Sequence, residues 1–186
     1  MAIAAGDRRL FAELLKRYQD RVVNLVYRLV GDWDAALDLG QEAFLRIYRR
    51  ASSYRPEGNA KSWILAVAMN VARDYLRSRR RILYLDRIDV GDGFMSPGLN
   101  RGPATPPEIL EREESRRRVR QVLQALPSSA RTILLLRDFE GLSYEEMAEV
   151  LGCEMGTVKS RLHRGRRQFE ELFRRWELGE TEGSAE

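Results

Sequence analysis

The stretch GLSYEEMAEVLGCEMGTVKSRLHRGRRQF, Gly141 to Phe169, decides the reading because it carries its own punctuation. Ser143 stands as an N-cap before a short apolar-faced helix, and Glu146, three residues on, is the reciprocal partner of a capping box. Gly152 is the stop, and a second helix opens after a tight turn, which makes the unit a helix-turn-helix. In that second helix Val158, Leu162, Gly165, Phe169 and Leu172 fall on one side at about 100° per residue, so that side packs. Lys159, Ser160, His163, Arg164 and Arg167 occupy the opposite arc. Such side chains suit the DNA major groove, where they reach guanine edges and phosphates, and backbone donors around Gly156 and Thr157 suit a phosphate. An isolated charge run would read as a solvated helix face; the helix-turn-helix grammar here favours DNA. His163 as a metal ligand has nothing nearby to complete a site.

Upstream of this unit, Glu108 to Leu126 and Ser129 to Glu140 read as helices separated by Pro127, and Glu154 to Arg175 as the long second helix of the motif. Before them, LDRIDVGDGFMSPGLNRGPATPP is rich in Gly and Pro and has no sustained periodicity, the composition of a linker. The first half of the chain is helical again. Leu10, Leu14, Tyr18, Val22, Leu25 and Leu29 recur at three- and four-residue steps up to Gly31. Asp32 is the N-cap of a second helix running to about Ala51, and a third spans roughly Ala60 to Arg81 after a loop, Ser52 to Asn59, that holds Pro56 and Gly58. The fold class is therefore all-α, two small helical domains joined by a flexible linker. The expected division is 7–85 for the first domain, 86–107 for the linker, 108–176 for the second and 177–186 for a disordered acidic tail.

Composition narrows the function. The chain has 186 residues, 44% hydrophobic, and a formal net charge of +4 from 32 basic and 28 acidic residues. Its apolar runs are broken well before the roughly 20 residues of a bilayer span, and MAIAAGDRRLFAELL lacks a secretory pattern, so the expectation is a cytoplasmic protein without membrane insertion. One Cys and one His fit a reducing compartment and no metal or cofactor. No nucleotide-binding Gly loop, carboxylate-plus-metal set or nucleophile with its base is evident, which argues against an enzyme.

In the first domain, Trp33, Leu37, Gly40, Phe44 and Ile47 form the expected packing side of the second helix, leaving Asp34, Asp38, Gln41, Glu42, Leu45 and Arg49 outward. A Leu ringed by acids and an amide fits a protein-binding patch, although a lone surface Leu is commonplace. On the third helix Ile64, Ala68, Val71, Ala72 and Tyr75 face a core, while Trp63, Asn70 and Arg77 repeat every seven residues along another side, with Arg73, Arg79, Arg80 and Arg81 nearby. Rings stack on unpaired bases and Arg neutralises phosphate; the competing reading keeps Trp63 half-buried in the core and the arginines as a charge cluster at a helix C-terminus.

These segments together resemble the sigma-70 family, specifically its extracytoplasmic-function group, over nearly the whole chain. DLGQEAFLRIYR, Asp38 to Arg49, is similar to the family's core-binding segment, which implies that Asp38, Gln41, Glu42, Leu45 and Arg49 meet RNA polymerase core. The resemblance implies docking on the β′ clamp helices and the β flap, with the linker running toward the RNA exit channel. It places Trp63, Asn70, Arg73, Arg77 and Arg80 on the single-stranded −10 element, where Asn70 matches the family's base-contacting position and a base is flipped out. It places Gly156, Thr157, Lys159, Ser160, His163, Arg164 and Arg167 on duplex −35 DNA. It further implies a transcription initiation factor restrained by an anti-sigma protein. Two departures stand out: Leu37 where an acid is common, and Gly40 where Val or Ile is usual, which suggests a locally softer helix because interior Gly costs about 1 kcal/mol. A stand-alone DNA-binding regulator, or a module that only sequesters polymerase, would use some of the same features.

Overall fold

The computed structural model describes residues 8–51, 59–85 and 107–178, and every element among them is helical. Helix α1, Arg8–Val30, buries Val22, Leu25, Val26 and Leu29 and stops at Gly31, whose φ is +80°. Asp32 then caps α2, Trp33–Arg49, its Oδ1 accepting from the Ala35 amide at 3.1 Å. Helix α3 runs Ala60–Leu85, longer than expected, and packs on both α1 and α2. Residues 52–58 of the loop expected at Ser52–Asn59, nearly all of the linker and the residues after Leu178 lie outside the described residues.

The second half holds α4, Pro107–Ala125, α5, Ser128–Leu134, α6, Tyr144–Leu151, and α7, Met155–Glu177. Glu177, expected in the tail, is still helical. The helix expected at Ser129–Glu140 is two pieces, since α5 passes into a π-helical turn, Leu135–Phe139, that ends with the Glu140 amide donating to Leu135 O at 2.9 Å. A π turn inserts one residue into the ladder, and no apolar period announces it. Its consequence is a change of facing for Phe139 and Glu140.

The two halves pack together. Buried side chains form one continuous apolar cluster from Val22 and Leu25 of α1 through Ile64 and Leu65 of α3 to Leu135, Met147 and Leu162. At the seam the last turn of α1 finds donors in the second half. Gln124 Nε2 donates to Arg28 O at 2.9 Å and Arg131 Nη1 to Leu29 O at 2.6 Å, satisfying carbonyls that a helix end leaves without intrahelical partners. Arg131 also donates to the Gln124 side chain and to the backbone of Gln124 and Leu126.

Two expectations for α2 need correction. Trp33 and Leu37 do not pack inward; they are 39% and 40% exposed, and the buried positions are Ala36, Gly40, Ala43, Phe44 and Ile47. The inward arc is thus set by small residues, which let α1 approach closely and push the bulky side chains to its edge. Gly40 is the closest point, where an added Cβ would lie 2.9 Å from Val23 Cγ2. The glycine marks tight helix packing rather than local softness. Val23 is β-branched and stiff in a helix, so it yields little. Gly40→Val should therefore destabilise by about 1–3 kcal/mol in urea unfolding, while Gly40→Ala should stay nearer wild type because its helix propensity offsets part of the overlap.

Candidate nucleic-acid and protein interfaces

The helix-turn-helix is built as its punctuation predicts. Ser143 Oγ accepts from the Glu146 amide at 3.1 Å, and Glu146 Oε2 accepts from the Ser143 amide at 2.7 Å. Gly152 ends α6 in the left-handed region at φ +61°, a conformation that disfavours any Cβ. Val158, Leu162 and Gly165 are buried, with Gly165 close against Ile133 and Ala130 of α5. That packing turns the other arc of α7 outward.

Gly156, Lys159, Ser160, His163, Arg164 and Arg167 are exposed and Thr157 is half-buried, so one helix face brings all seven predicted residues together. Glu154 forms no side-chain cap and the first turn holds no acid, a favourable end for an anion. Ser160 Oγ donates to Thr157 O at 3.0 Å. Arg166, one step off the arc, is engaged by Asp138 at 2.6 Å, and this partner raises its pKa. It braces the motif against the π turn, whereas Arg164 and Arg167 are exposed on the outward arc.

On α3, Asn70, Arg73 and Arg77 are exposed, and Arg80 lies on the same helix. Arg73 Nη1 donates to Asn70 Oδ1 at 3.4 Å, which orients the amide. Trp63 is half-buried against the core, so it has the packing role that the sequence left open. The chemistry of this side is amide and guanidinium over a packed indole.

On α2, Asp38, Gln41, Leu45 and Arg49 are exposed, Leu45 by 51%. Glu42 departs from them. It is half-buried and accepts from Arg46 Nε at 2.7 Å, and Arg46 reaches Asp74 of α3 at 3.2 Å, so Glu42 braces two helices. Both carboxylates raise the Arg46 pKa, the Glu42 hydrogen bond most. Beside this face lies a groove of about 850 Å³ between α1 and α2, walled by Phe11, Leu15, Trp33, Leu37 and Leu45, with Gly40 also lining it. Phe11 meets Tyr48 edge-on at 4.9 Å. Sequence reasoning missed the α1 wall; the four-residue steps of Phe11, Leu15, Gln19 and Val23 were the available signal. No group of three or more His, Cys, Asp or Glu among the described residues could hold a metal ion.

Comparison with known proteins follows this geometry. Residues 14–82 match the family described as Sigma-70 region 2, and residues 116–169 match Sigma-70, region 4. The chain is 34% identical over 173 residues to the RNA polymerase sigma-H factor of Pseudomonas aeruginosa, covering 92% of this chain and 90% of that one. It is 35% identical over 166 residues to the ECF RNA polymerase sigma-E factor of Escherichia coli, covering 88% and 86%. In fold it is similar to the sigma factor RpoE from Bartonella quintana, solved with the anti-sigma factor NepR (TM-score 0.69, 23% identity, 88% of this chain and 96% of that chain). It is also similar to CnrH, solved with the cytosolic domain of CnrY (TM-score 0.65, 22% identity, 92% of each chain).

Glu146 links the motif to the first half of the chain. Besides its cap it accepts from Ser62 Oγ at 3.2 Å and from Asn59 Nδ2. The Ser143 amide foremost, then Asn59 and Ser62, hold its carboxyl below the ordinary glutamate range. A depressed folded value contributes stability above the unfolded pKa of roughly 4.3, and that stability is lost as pH falls through the folded value. Glu146→Gln should cost about 1 kcal/mol at neutral pH and flatten the acid limb of thermal unfolding measured from pH 7 down to pH 3.

Proposed function

The chain belongs to the sigma-70 family, in its extracytoplasmic-function group, and from that premise we propose how its surfaces divide the work of directing RNA polymerase core to promoters. Domains at 7–85 and 108–176, joined by 86–107 and followed by the acidic 177–186, each carry part of the task. Asp38, Gln41, Leu45 and Arg49 meet the polymerase clamp, with Glu42 setting the face through Arg46 and the neighbouring apolar groove extending it. The second domain reaches the β flap. Asn70 reads an unpaired base of the −10 element, Arg73, Arg77 and Arg80 track its phosphates, and the half-buried Trp63 beside them supplies an aromatic contact to a base.

Helix α7 enters the major groove at the −35 element. Arg164 and Lys159 are placed for base edges or phosphates, His163, Ser160 and Arg167 flank them, and the amides of Gly156 and Thr157 face a phosphate. Nucleotidyl transfer belongs to the polymerase, and this chain contributes binding energy toward opening the duplex, without catalysis or cofactor of its own, in the cytoplasm. No described helix is long and apolar enough to cross a membrane. The structural neighbour from Bartonella quintana was solved with the anti-sigma factor NepR, and we extend that class of partner to this chain.

The observation that carries this reading is the presence on one chain of three separate exposed faces, acidic-apolar on α2, amide-arginine on α3 and basic on α7. A stand-alone regulator needs the third alone. Run-off transcription with purified core polymerase on a library of randomised promoters is the test. Template-selective transcripts should appear only when this protein is added and should vanish with Asp38→Arg. Arg164→Ala should relax selection at one −35 position by about 1–3 kcal/mol, and Lys159→Ala, if on phosphate, should lower the salt slope by about 1. Sequence-specific binding to DNA by the protein alone, with no transcripts, would instead establish the regulator.

A further inference from the structure

One aromatic ring outside the assigned faces is shared by two cations. Tyr144 is the first residue of α6, half-buried, and its side chain packs against the apolar cluster. The Lys159 ammonium of α7 lies 5.8 Å from the ring centroid, and the Arg137 guanidinium, from the π turn, lies 4.9 Å from it. Arg137 is itself fixed, its Nη1 donating to Leu142 O at 2.6 Å just before α6 begins. Glu145, the next residue, is exposed. Hydrogen bonds from its own amide and from Ser143 hold its carboxyl below the ordinary glutamate range, and the Lys159 and Arg137 charges add to this. Among the described residues neither Lys159 nor Arg137 makes an ion pair.

We propose that Tyr144 is a positioning residue for −35 DNA: its ring draws the Lys159 ammonium toward α6, so that Lys159 grips a backbone phosphate and leaves base selection to its neighbours on α7. This rests on the initiation reading. In a helix-turn-helix the second helix lies in the major groove while the first crosses the sugar-phosphate backbone. Here α6 is that first helix, and a cation laid over the ring in its opening turn is on the backbone side rather than over the floor of the groove. An ammonium is a compact point charge suited to phosphate, whereas a guanidinium fork matches the O6 and N7 of guanine. Arg164 is exposed and has no ring or carboxylate partner among the described residues, so it stays available for a base edge.

The ring matters because a free lysine side chain carries rotamer entropy that any contact must overcome. A phenol seated against the core supplies a fixed attractor, and part of that entropy is lost before DNA arrives. Two cations drawn to one ring also repel each other, and Glu145, exposed and without an ion pair to either, offsets this only in part. A phosphate arriving beside them relieves the remainder.

Promoter binding by the holoenzyme, followed against salt on duplexes randomised at the −35 element, tests this with Tyr144→Phe, Tyr144→Leu, Lys159→Ala and the Tyr144→Leu, Lys159→Ala pair, each checked for native helicity by circular dichroism. Tyr144→Leu, which keeps an apolar side chain on the cluster, should weaken binding about two- to fivefold and evenly across sequences, the reach of an exposed cation–π contact. Tyr144→Phe keeps the ring and should stay near wild type. Lys159→Ala should cost less in the Tyr144→Leu background than in wild type, because both changes act through one contact. Neither should move the base preferred at any −35 position. No loss with Tyr144→Leu, an equal loss with Tyr144→Phe, fully additive losses in the pair, or a changed base preference with Lys159→Ala would each overturn the positioning role. A wild-type chain that gives core polymerase no promoter selectivity would overturn the initiation reading instead, and the same cycle on duplex bound by the chain alone would then decide the role of Tyr144.

Discussion

A single guanidinium, that of Arg131, sits where three helix ends meet. It donates to Leu29 O at the close of α1, to the side chain and carbonyl of Gln124 near the close of α4, and to Leu126 O before α5 begins. Helix C-termini leave carbonyls that must find donors once buried, and a planar five-donor fork serves several at once. The relation of the two halves depends on that arrangement. With α1 terminated against α4 and α5, the π turn falls beside α1 and the start of α6 falls beside α3. The apolar cluster then runs unbroken from one half into the other.

Within each half, the exposed chemistry is a by-product of what the packing excludes. Gly165 lets α7 lie close on α5, which commits one arc of α7 to the core and leaves Lys159, Arg164 and Arg167 on the other. Gly40 does the same for α1 and α2, and the bulk it removes from the seam reappears as exposed Trp33 and Leu37 at the groove edge. Glu42 and Arg166, which look equivalent to their neighbours along the chain, are each held in an ion pair, with Arg46 and Asp138, while staying partly exposed.

Glu146 shows how one carboxylate can serve two scales. It closes a local capping box that is legible from four residues, and it accepts from Asn59 and Ser62 more than eighty residues away. Substituting it changes the motif and the seam together, so its effects do not report on the cap alone.

Helices α1 to α4, α6 and α7, their caps at Asp32 and Ser143, the stop at Gly152 and the basic arc of α7 were all determined by the sequence alone. Each rests on contacts within about four residues, through apolar period, capping side chain or positive φ. The three candidate faces were legible for the same reason. Tertiary structure alone decided the π turn at Leu135–Phe139, the outward placement of Trp33 and Leu37, the α1 wall of the groove and the ion pair of Glu140 with Arg21. These depend on which helix packs against which and how closely. The helical period that marks an apolar face says nothing of the partner that will cover it.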